Sequence, residues 1–448
     1  MDTIVALSTP FGVSGIAVIR CSGPQCLSFA QSIFQKENIQ PRKAYHSLYH
    51  SDSGTPLDEV VFTFFAEKAS YTGESMLEIS CHGNPLIIQQ IVQDLRTRGA
   101  RSAEPGEFTR RAFMNDVLDL CQAEAVSDII HAQSQQALTL AQHQLGGSLS
   151  RCVEHFLQKL TELIAMIEAF LDFPEEDLPK EDHTHVGQQL QELLQAIEKL
   201  LRQQGAYRPL QQGIYTVIVG LPNAGKSTLL NVFLGQERAI VSSIPGTTRD
   251  FLSERFFLEP YSLKLVDTAG LRTAENELEQ KGIQQTEEQV TKADCLLWVI
   301  DGSQPWNDSL EALKNRFSPK RTFVILNKLD CGLHASMPKA LETYTVCSLS
   351  LQDSSALSLL QDRLRKFLQQ SCSDLSEASF MIHERHAAAL QHAKAALQHA
   401  QALWQQHREE DCLVAELRTA LHAFETIVGQ SYDEQVLDTI FSKFCIGK

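Results

Sequence analysis

The stretch Gly220-Leu-Pro-Asn-Ala-Gly225-Lys226-Ser227 constrains this chain more than any other, because it joins an apolar run ending at Val219 to a helical pattern opening at Lys226. A glycine-rich turn between a strand and a helix N-terminus gathers backbone N–H groups around one point, where phosphate oxygens are received. Lys226 then reaches the β- and γ-phosphates and Ser227 a Mg²⁺ ion, with Asn223, Ala224, Gly225 and Thr228 completing the loop. Such a loop needs a parallel α/β sheet behind it. The flanking sequence supplies one: YTVIVG, LKLVD, CLLWVID and TFVILN are β-rich runs, each followed by a turn or a helical segment, across residues 213–371.

Two further motifs stand at the ends of these runs. Asp267-Thr268-Ala269-Gly270 follows SLKLV, where an acid can sense Mg²⁺ through water and a glycine N–H can meet the γ-phosphate. Asn327-Lys328-Leu329-Asp330 follows TFVIL. The Asp330 carboxylate can accept from guanine N1–H and N2–H₂, which adenine lacks, so the expected nucleotide is GTP. Each motif alone has a bland reading as a turn or a cap. In this order, each at a strand's C-terminal end, they define a nucleotide site. After the DxxG glycine the residue is Leu271, which cannot orient an attacking water as Gln does in Ras-like proteins. Attention passes to Asn223, to Ser242, Ser243, Ile244, Pro245, Gly246, Thr247 and Thr248, and to the acidic stretch Glu275 to Glu279.

The rest of the chain is of two other kinds. Residues 1–117 alternate short apolar runs (TIVALS, GIAVIR, AYHSLYH, EVVFTFF, SMLEIS) with turns, then give a helical stretch from Asn84 to Arg98 closed by Gly99, which is an α+β pattern. Residues 118–212 and 372–448 carry apolar residues at helical spacing, with a helix break expected at Pro174–Pro179. The expected fold is therefore an α+β amino-terminal domain and an all-α domain into which a Ras-like α/β P-loop domain is inserted. Charge narrows the function. With 39 Lys+Arg against 55 Asp+Glu the formal charge is −16, so any nucleic-acid contact must be local or lent by a partner. Eleven cysteines, an odd number without a CxxC pair, fit reduced thiols of a cytoplasmic protein. The start does not read as a secretory signal and no run approaches the roughly 18 apolar residues of a membrane span. Histidines 383, 386, 392 and 399 read as solvated faces of a helical stretch.

TGE…LEISCHGN, PGEFTRRAFMNDVLDLCQAEAVSDII, GLPNAGKST, IPGTTRD, DTAGLR, NKLD and the ending FCIGK together closely resemble the MnmE (TrmE) family of tRNA-modifying GTPases, over essentially the whole chain. The resemblance implies an enzyme that helps add a carboxymethylaminomethyl or related group to C5 of the wobble uridine of tRNA. It implies K⁺ held by Asn223, Ser242, Ile244 and Thr247, Thr248 beside Ser227 on Mg²⁺, and Glu279 as the water-directing acid. It implies a 5-formyl-tetrahydrofolate-type donor bound in the amino-terminal domain by Arg20, Glu78 and the terminal Lys448, and Cys445 as a residue of the modification reaction. The family's further folate-contacting Lys is replaced here by Val117, which carries no charge. Homodimerisation through the amino-terminal folate-binding-like domain, and a heterotetramer with the FAD-dependent subunit MnmG, belong to the same expectation. The motifs of the GTP site are equally those of a regulatory or ribosome-assembly GTPase without covalent chemistry on RNA.

Overall fold

The computed structural model of the chain describes residues 2–172, 180–235, 253–267, 287–353, 356–371, 375, 378–406 and 410–448. The helix break read at Pro174–Pro179 lies outside the described residues. The chain divides into two compact units, one of Met1–Ser127, Gln144–Gln191 and Ala389–Lys448, the other of Asp128–His143 and Glu192–Ala388.

The first unit holds strands β1 (Ile4–Leu7), β2 (Ser14–Ser22), β3 (Ala44–His50), β4 (Pro56–Phe65), β5 (Met76–Gly83) and β6 (Arg101–Ser102), in the sheet order β3-β4-β5-β2-β1-β6. All neighbours are antiparallel except β1 and β6. Successive side chains of a strand point to opposite faces, and the sequence uses this period. Ala17, Ile19 and Cys21 of β2 with Leu77, Ile79 and Cys81 of β5 bury one face beneath the helices Cys26–Phe34 and Pro85–Thr97. Truncating one such residue, for example Ile19→Ala, would cost about 2–5 kcal/mol. Asn84 caps the second helix by accepting from the Leu86 N–H, with Pro85 at the first helical position, which needs no donor. The opposite face carries Arg20 and Glu78, which are directly paired in the register of β2 and β5.

The helices Ser148–Asp172 and Glu410–Val428 pack against one another in this unit. Leu149, Val153, Phe156, Leu160 and Leu163 recur at the three- and four-residue spacing that makes one helical stripe. Phe156 and Phe424 meet with ring centroids 5.3 Å apart.

The second unit holds β7 (Ile214–Val219), β8 (Ser253–Leu258), β9 (Tyr261–Asp267), β10 (Cys295–Asp301), β11 (Thr322–Asn327) and β12 (Thr345–Ser348), ordered β12-β11-β10-β7-β9-β8. Only β8 runs antiparallel to its neighbour. The apolar runs are nearly continuous because both faces are buried. Leu297, Val299, Phe323 and Ile325 enter one core, while Leu296, Trp298, Ile300, Val324 and Leu326 enter the other. The architecture is thus the expected one: an α+β amino-terminal region, a helical region and a P-loop α/β sheet.

The solvated row of histidines is corrected in part. His392 and His399 are exposed, but His386 is fully buried and His383, which precedes the helix Glu384–Gln405, bonds the buried Asp128 at 2.8 Å. The mixed spacing explains the split, because within the helix Glu384–Gln405 His386 falls on the buried stripe of Leu390, Ala393, Leu397 and Ala400, whereas His392 and His399 fall outside it.

Candidate functional sites

The phosphate loop follows β7 and ends at the helix Lys226–Leu234. Its shape depends on glycines at two close approaches. A Cβ on Gly220 would lie 2.2 Å from the Val299 carbonyl oxygen, and one on Gly225, at φ +109°, would lie 2.2 Å from Asn327 Nδ2. Asn223 also has positive φ, 62°, and its side chain is exposed on the loop. Lys226 Nζ donates to the carbonyls of Gly220 and Leu221 at 3.0 and 2.9 Å, so the ammonium lies folded over the mouth of the loop, where a phosphate would take those bonds over. Ala224 is buried, whereas Ser227 and Thr228 are exposed at the helix start.

Asn327 ties this loop to the segment Asn327–Asp330. Its Nδ2 donates to the Ala224 carbonyl at 3.0 Å, its Oδ1 accepts from Leu351 N at 3.1 Å, and its own carbonyl accepts from Gly302 N at 2.9 Å. Lys328, at φ 65°, pairs with Asp301 at 2.7 Å, and Leu329 N reaches the Leu349 carbonyl. A hydrogen bond from Ser350 holds the Asp330 carboxyl below the usual carboxylate range, so it stays a pure acceptor. Asp330, Ser348, Leu349, Ser350 and Leu359 line an open cleft of about 720 Å³. Sequence reasoning had not singled out Asp301 or the Ser348–Leu351 loop; the available signal was the short run TVCS before a second serine. Asp267 ends β9 beside Ile218 of β7. Ser242, Ser243, Ile244, Pro245, Gly246, Thr247, Thr248, Thr268, Ala269, Gly270 and Glu279 lie outside the described residues, as does the side chain of Asp267.

A second candidate site lies in the first unit. Arg20 donates from Nε and Nη2 to one oxygen of Glu78, Oε1, at 2.9 and 2.7 Å. Its guanidinium also lies 5.5 and 5.9 Å from the rings of Tyr71 and Phe108, which fix its plane. Among the described residues nothing bonds Arg20 Nη1 or Glu78 Oε2, so both can receive something else. Lys448 joins them: burial and the Arg20 charge push its ammonium below the usual lysine range, with Glu78 and Cys445 opposing.

The chain end reaches this place because it is docked along β1. Phe444 is buried with Phe441, Leu437 and Phe113, which anchors the tail. Beyond it Ile446 forms an antiparallel bridge with Pro105, and Ser8 Oγ donates to the Gly447 carbonyl at 3.1 Å. Gly447 lies against β1 at φ +96°, and a Cβ there would stand 2.3 Å from the Leu7 carbonyl oxygen. Cys445 is exposed. Val117 follows the helix Glu107–Met114 beside Gly73, where a Cβ on that glycine would lie 3.0 Å from its Cγ2, and its N–H is already given to the Ala112 carbonyl at 2.9 Å. Neither a charge nor a backbone donor is therefore available from it.

PGEFTRRAF builds the support of this site. Arg111 contacts Asp2, Glu74 and Glu107 at 2.7, 3.0 and 2.9 Å, and Arg101 contacts Asp2 and Glu107 at 2.6 Å each. Phe108 faces Arg20 from the same helix, and Thr109 bonds Tyr71 at 2.9 Å. Tyr71, Phe108, Ser8 and Gly447 were not legible as site residues, since nothing local marks a residue that acts by positioning another.

Known proteins resemble this chain along its length. The family model described as the MnmE helical domain matches residues 120–445, and that of the GTP-binding protein TrmE N-terminus matches residues 3–117. Curated proteins named tRNA modification GTPase MnmE are 41% identical in Opitutus terrae and 38% identical in Chlorobium chlorochromatii and Thermotoga maritima. Each match covers 100% of this chain and, respectively, 99%, 98% and 100% of the relative. Among solved structures, Aquifex aeolicus Era bound to GDP.AlF4- is 24% identical over 41% of this chain and 66% of that one, with a TM-score of 0.28. The G domain of the T. maritima FeoB iron transporter is 22% identical over 35% of this chain and 99% of that one, with a TM-score of 0.27.

Proposed function

This chain belongs to the MnmE family of tRNA modification GTPases and is a GTP-hydrolysing enzyme, and from that premise we propose that it serves C5 modification of the tRNA wobble uridine through a one-carbon site in its amino-terminal unit. The observation that carries this reading is the Arg20–Glu78 pair in the sheet to which the chain end bearing Cys445 and Lys448 is tied through Ser8 and Pro105. The donor set suits a 5-formyl-tetrahydrofolate-type compound. Arg20 Nη1 and Lys448 can donate to a carboxylate or pterin oxygen, and Glu78 Oε2 can accept from an amino-pyrimidine edge. When bound, that compound would supply the carbon. Cys445 offers a nucleophile, and its thiolate is the reactive form.

In the second unit, GTP would be held by the phosphate loop and by Asp330, with Ser227 and Thr248 on Mg²⁺. K⁺ at Asn223, Ser242, Ile244 and Thr247 would supply the positive charge that a Ras-like Gln or arginine finger supplies elsewhere, and Glu279 would direct the water. No G-x-G-x-x-G strand-turn-helix is present in the sequence for a flavin, so oxidation falls to a separate FAD-dependent subunit, MnmG, in a heterotetramer. Phe11, Val13, Ile16 and Leu86 form exposed apolar surface on the amino-terminal unit, which suits homodimerisation there. No described helix is long and apolar enough to cross a membrane, and a cytoplasmic enzyme is proposed. The test is mass analysis of wobble nucleosides in a deletion strain carrying this chain. Restored C5 modification is expected; accumulation of ribosomal subunits with unchanged nucleosides would favour the regulatory GTPase instead.

A further inference from the structure

The ten Lys and Arg residues of the first 117 positions sort into two groups. Arg20, Arg98, Arg101, Arg110 and Arg111 are all paired with carboxylates. Of the other five, four sit together at one edge of the sheet: Lys36, Arg42, Lys43 and Lys68, which include every lysine of the segment. Lys36 and Lys43 stand 6.0 and 5.4 Å from the ring of Tyr45, on the terminal strand β3. Arg42 reaches the Ala69 carbonyl at 2.9 Å, one residue from Lys68. None of the four makes an ion pair among the described residues, and Arg42, Lys43 and Lys68 are exposed.

Their placement is built. Arg42 N donates to the Phe64 carbonyl and Lys68 N to the Gly73 carbonyl, both at 2.8 Å, and both residues have positive φ, 59° and 62°. The acids of these segments are Glu37 and Glu67, so the corner carries 4 − 2 = +2 in a chain of formal charge −16. A chain so acidic meets a polyanion through a local patch of this kind or through a partner.

We infer that Lys36, Arg42, Lys43 and Lys68 form a docking surface for the phosphate backbone of an RNA, here the tRNA substrate. The inference rests on the tRNA-modification reading. Cations without carboxylate partners lose little on meeting phosphates, and each displaces condensed counterions from the RNA. Lysines beside an edge strand also guard against strand pairing between molecules. That role alone predicts aggregation on their removal and no change in RNA affinity.

The experiment titrates unmodified tRNA with the full chain across a salt series, comparing wild type with the quadruple Lys36→Gln, Arg42→Gln, Lys43→Gln, Lys68→Gln variant. GTP turnover serves as the folding control, and a Lys36→Arg, Lys43→Arg, Lys68→Arg variant keeps the charge. The quadruple variant should lose on the order of tenfold or more in affinity at low salt, and its slope of log K against log salt should fall by about three. The Arg variant should bind as wild type does. Wild-type binding with unchanged affinity and slope in the quadruple variant would overturn the inference alone, whatever its aggregation. A wild-type chain that binds no tRNA at any salt would overturn the inference and the tRNA reading together.

Discussion

Replacing Gly447 by Ala tests how the chain end is held. The added Cβ would stand 2.3 Å from the Leu7 carbonyl oxygen and 2.9 Å from Ser8 Cα, at a φ of +96°. Leu7 cannot retreat easily, because it is paired with Ile19 inside the sheet. The left-handed backbone alone costs about 1–3 kcal/mol for a residue with a Cβ. Against this stand the Ser8–Gly447 bond and the Ile446–Pro105 bridge, each contributing about 0.5–1.5 kcal/mol. The two sums are comparable, so the docked population of the tail should fall by a factor on the order of 5–30. Carboxypeptidase B, followed by mass spectrometry, reads this directly through release of Lys448. Release should be slow in wild type and should approach the rate of a free peptide of the same ending in the variant. GTP turnover should be unchanged, and wobble modification should drop with docking. Ser8→Ala, which removes one bond and adds no clash, should give an intermediate rate. Equal release from wild type and Gly447→Ala would refute the docking argument.

Other outcomes follow from single side chains. Asp330→Asn should lose GTP and gain xanthosine triphosphate, whose C2 oxygen accepts from the carboxamide; unaltered guanine preference in a competition assay would remove Asp330 from base recognition. GTP turnover should require K⁺ and collapse in Na⁺, and Asn223→Ala should lose the K⁺ response while nucleotide affinity stays; equal turnover in both salts would sink this. Cys445→Ser should leave GTP turnover almost unchanged and abolish wobble modification, because a hydroxyl does not ionise in the working range; restoration of the modified nucleoside by this variant would make the cysteine incidental. The Asp2 carboxyl, held at about 2 rather than 3.8 chiefly by the Arg101 hydrogen bond, should contribute fully above the ordinary value and fade as pH falls through about 2; a carbon NMR titration with an ordinary midpoint would contradict the network.

Much of the fold could be read because its period is written in single segments. The runs TIVALS, GIAVIR, AYHSLYH, EVVFTFF and SMLEIS became β1 to β5, and the Asn84 cap with Pro85 announced its helix. The helix Cys26–Phe34 went unread, although Phe29, Ile33 and Phe34 face the core, because at nine residues it is too short to separate from a strand by pattern. β12 was missed for a related reason: four residues, TVCS, are apolar enough for a strand only beside β11. The phosphate loop was legible because its chemistry lies within eight consecutive residues. Its dependence on Asn327 was legible only in part: the motif marks Asn327, but not that Nδ2 fills the space where a Gly225 side chain would stand.

The amino-terminal site shows where such reading stops. Arg20 and Glu78 lie 58 residues apart, and spacing says nothing of their meeting. Once β2 and β5 pair in register, the meeting is obligatory: residues opposite one another on the same face are cross-strand neighbours. The helix-covered core takes Ile19 and Cys21 with Leu77 and Ile79, which leaves Arg20 and Glu78 for the other face. A one-residue slip of either strand would drive one charge into that core and break the pair, so the buried face fixes the register and the register fixes the site. The sequence therefore contained the site as an alternation of apolar and charged residues on two strands. What it did not contain was their pairing, on which the two bonds from Arg20 to Glu78 Oε1 depend.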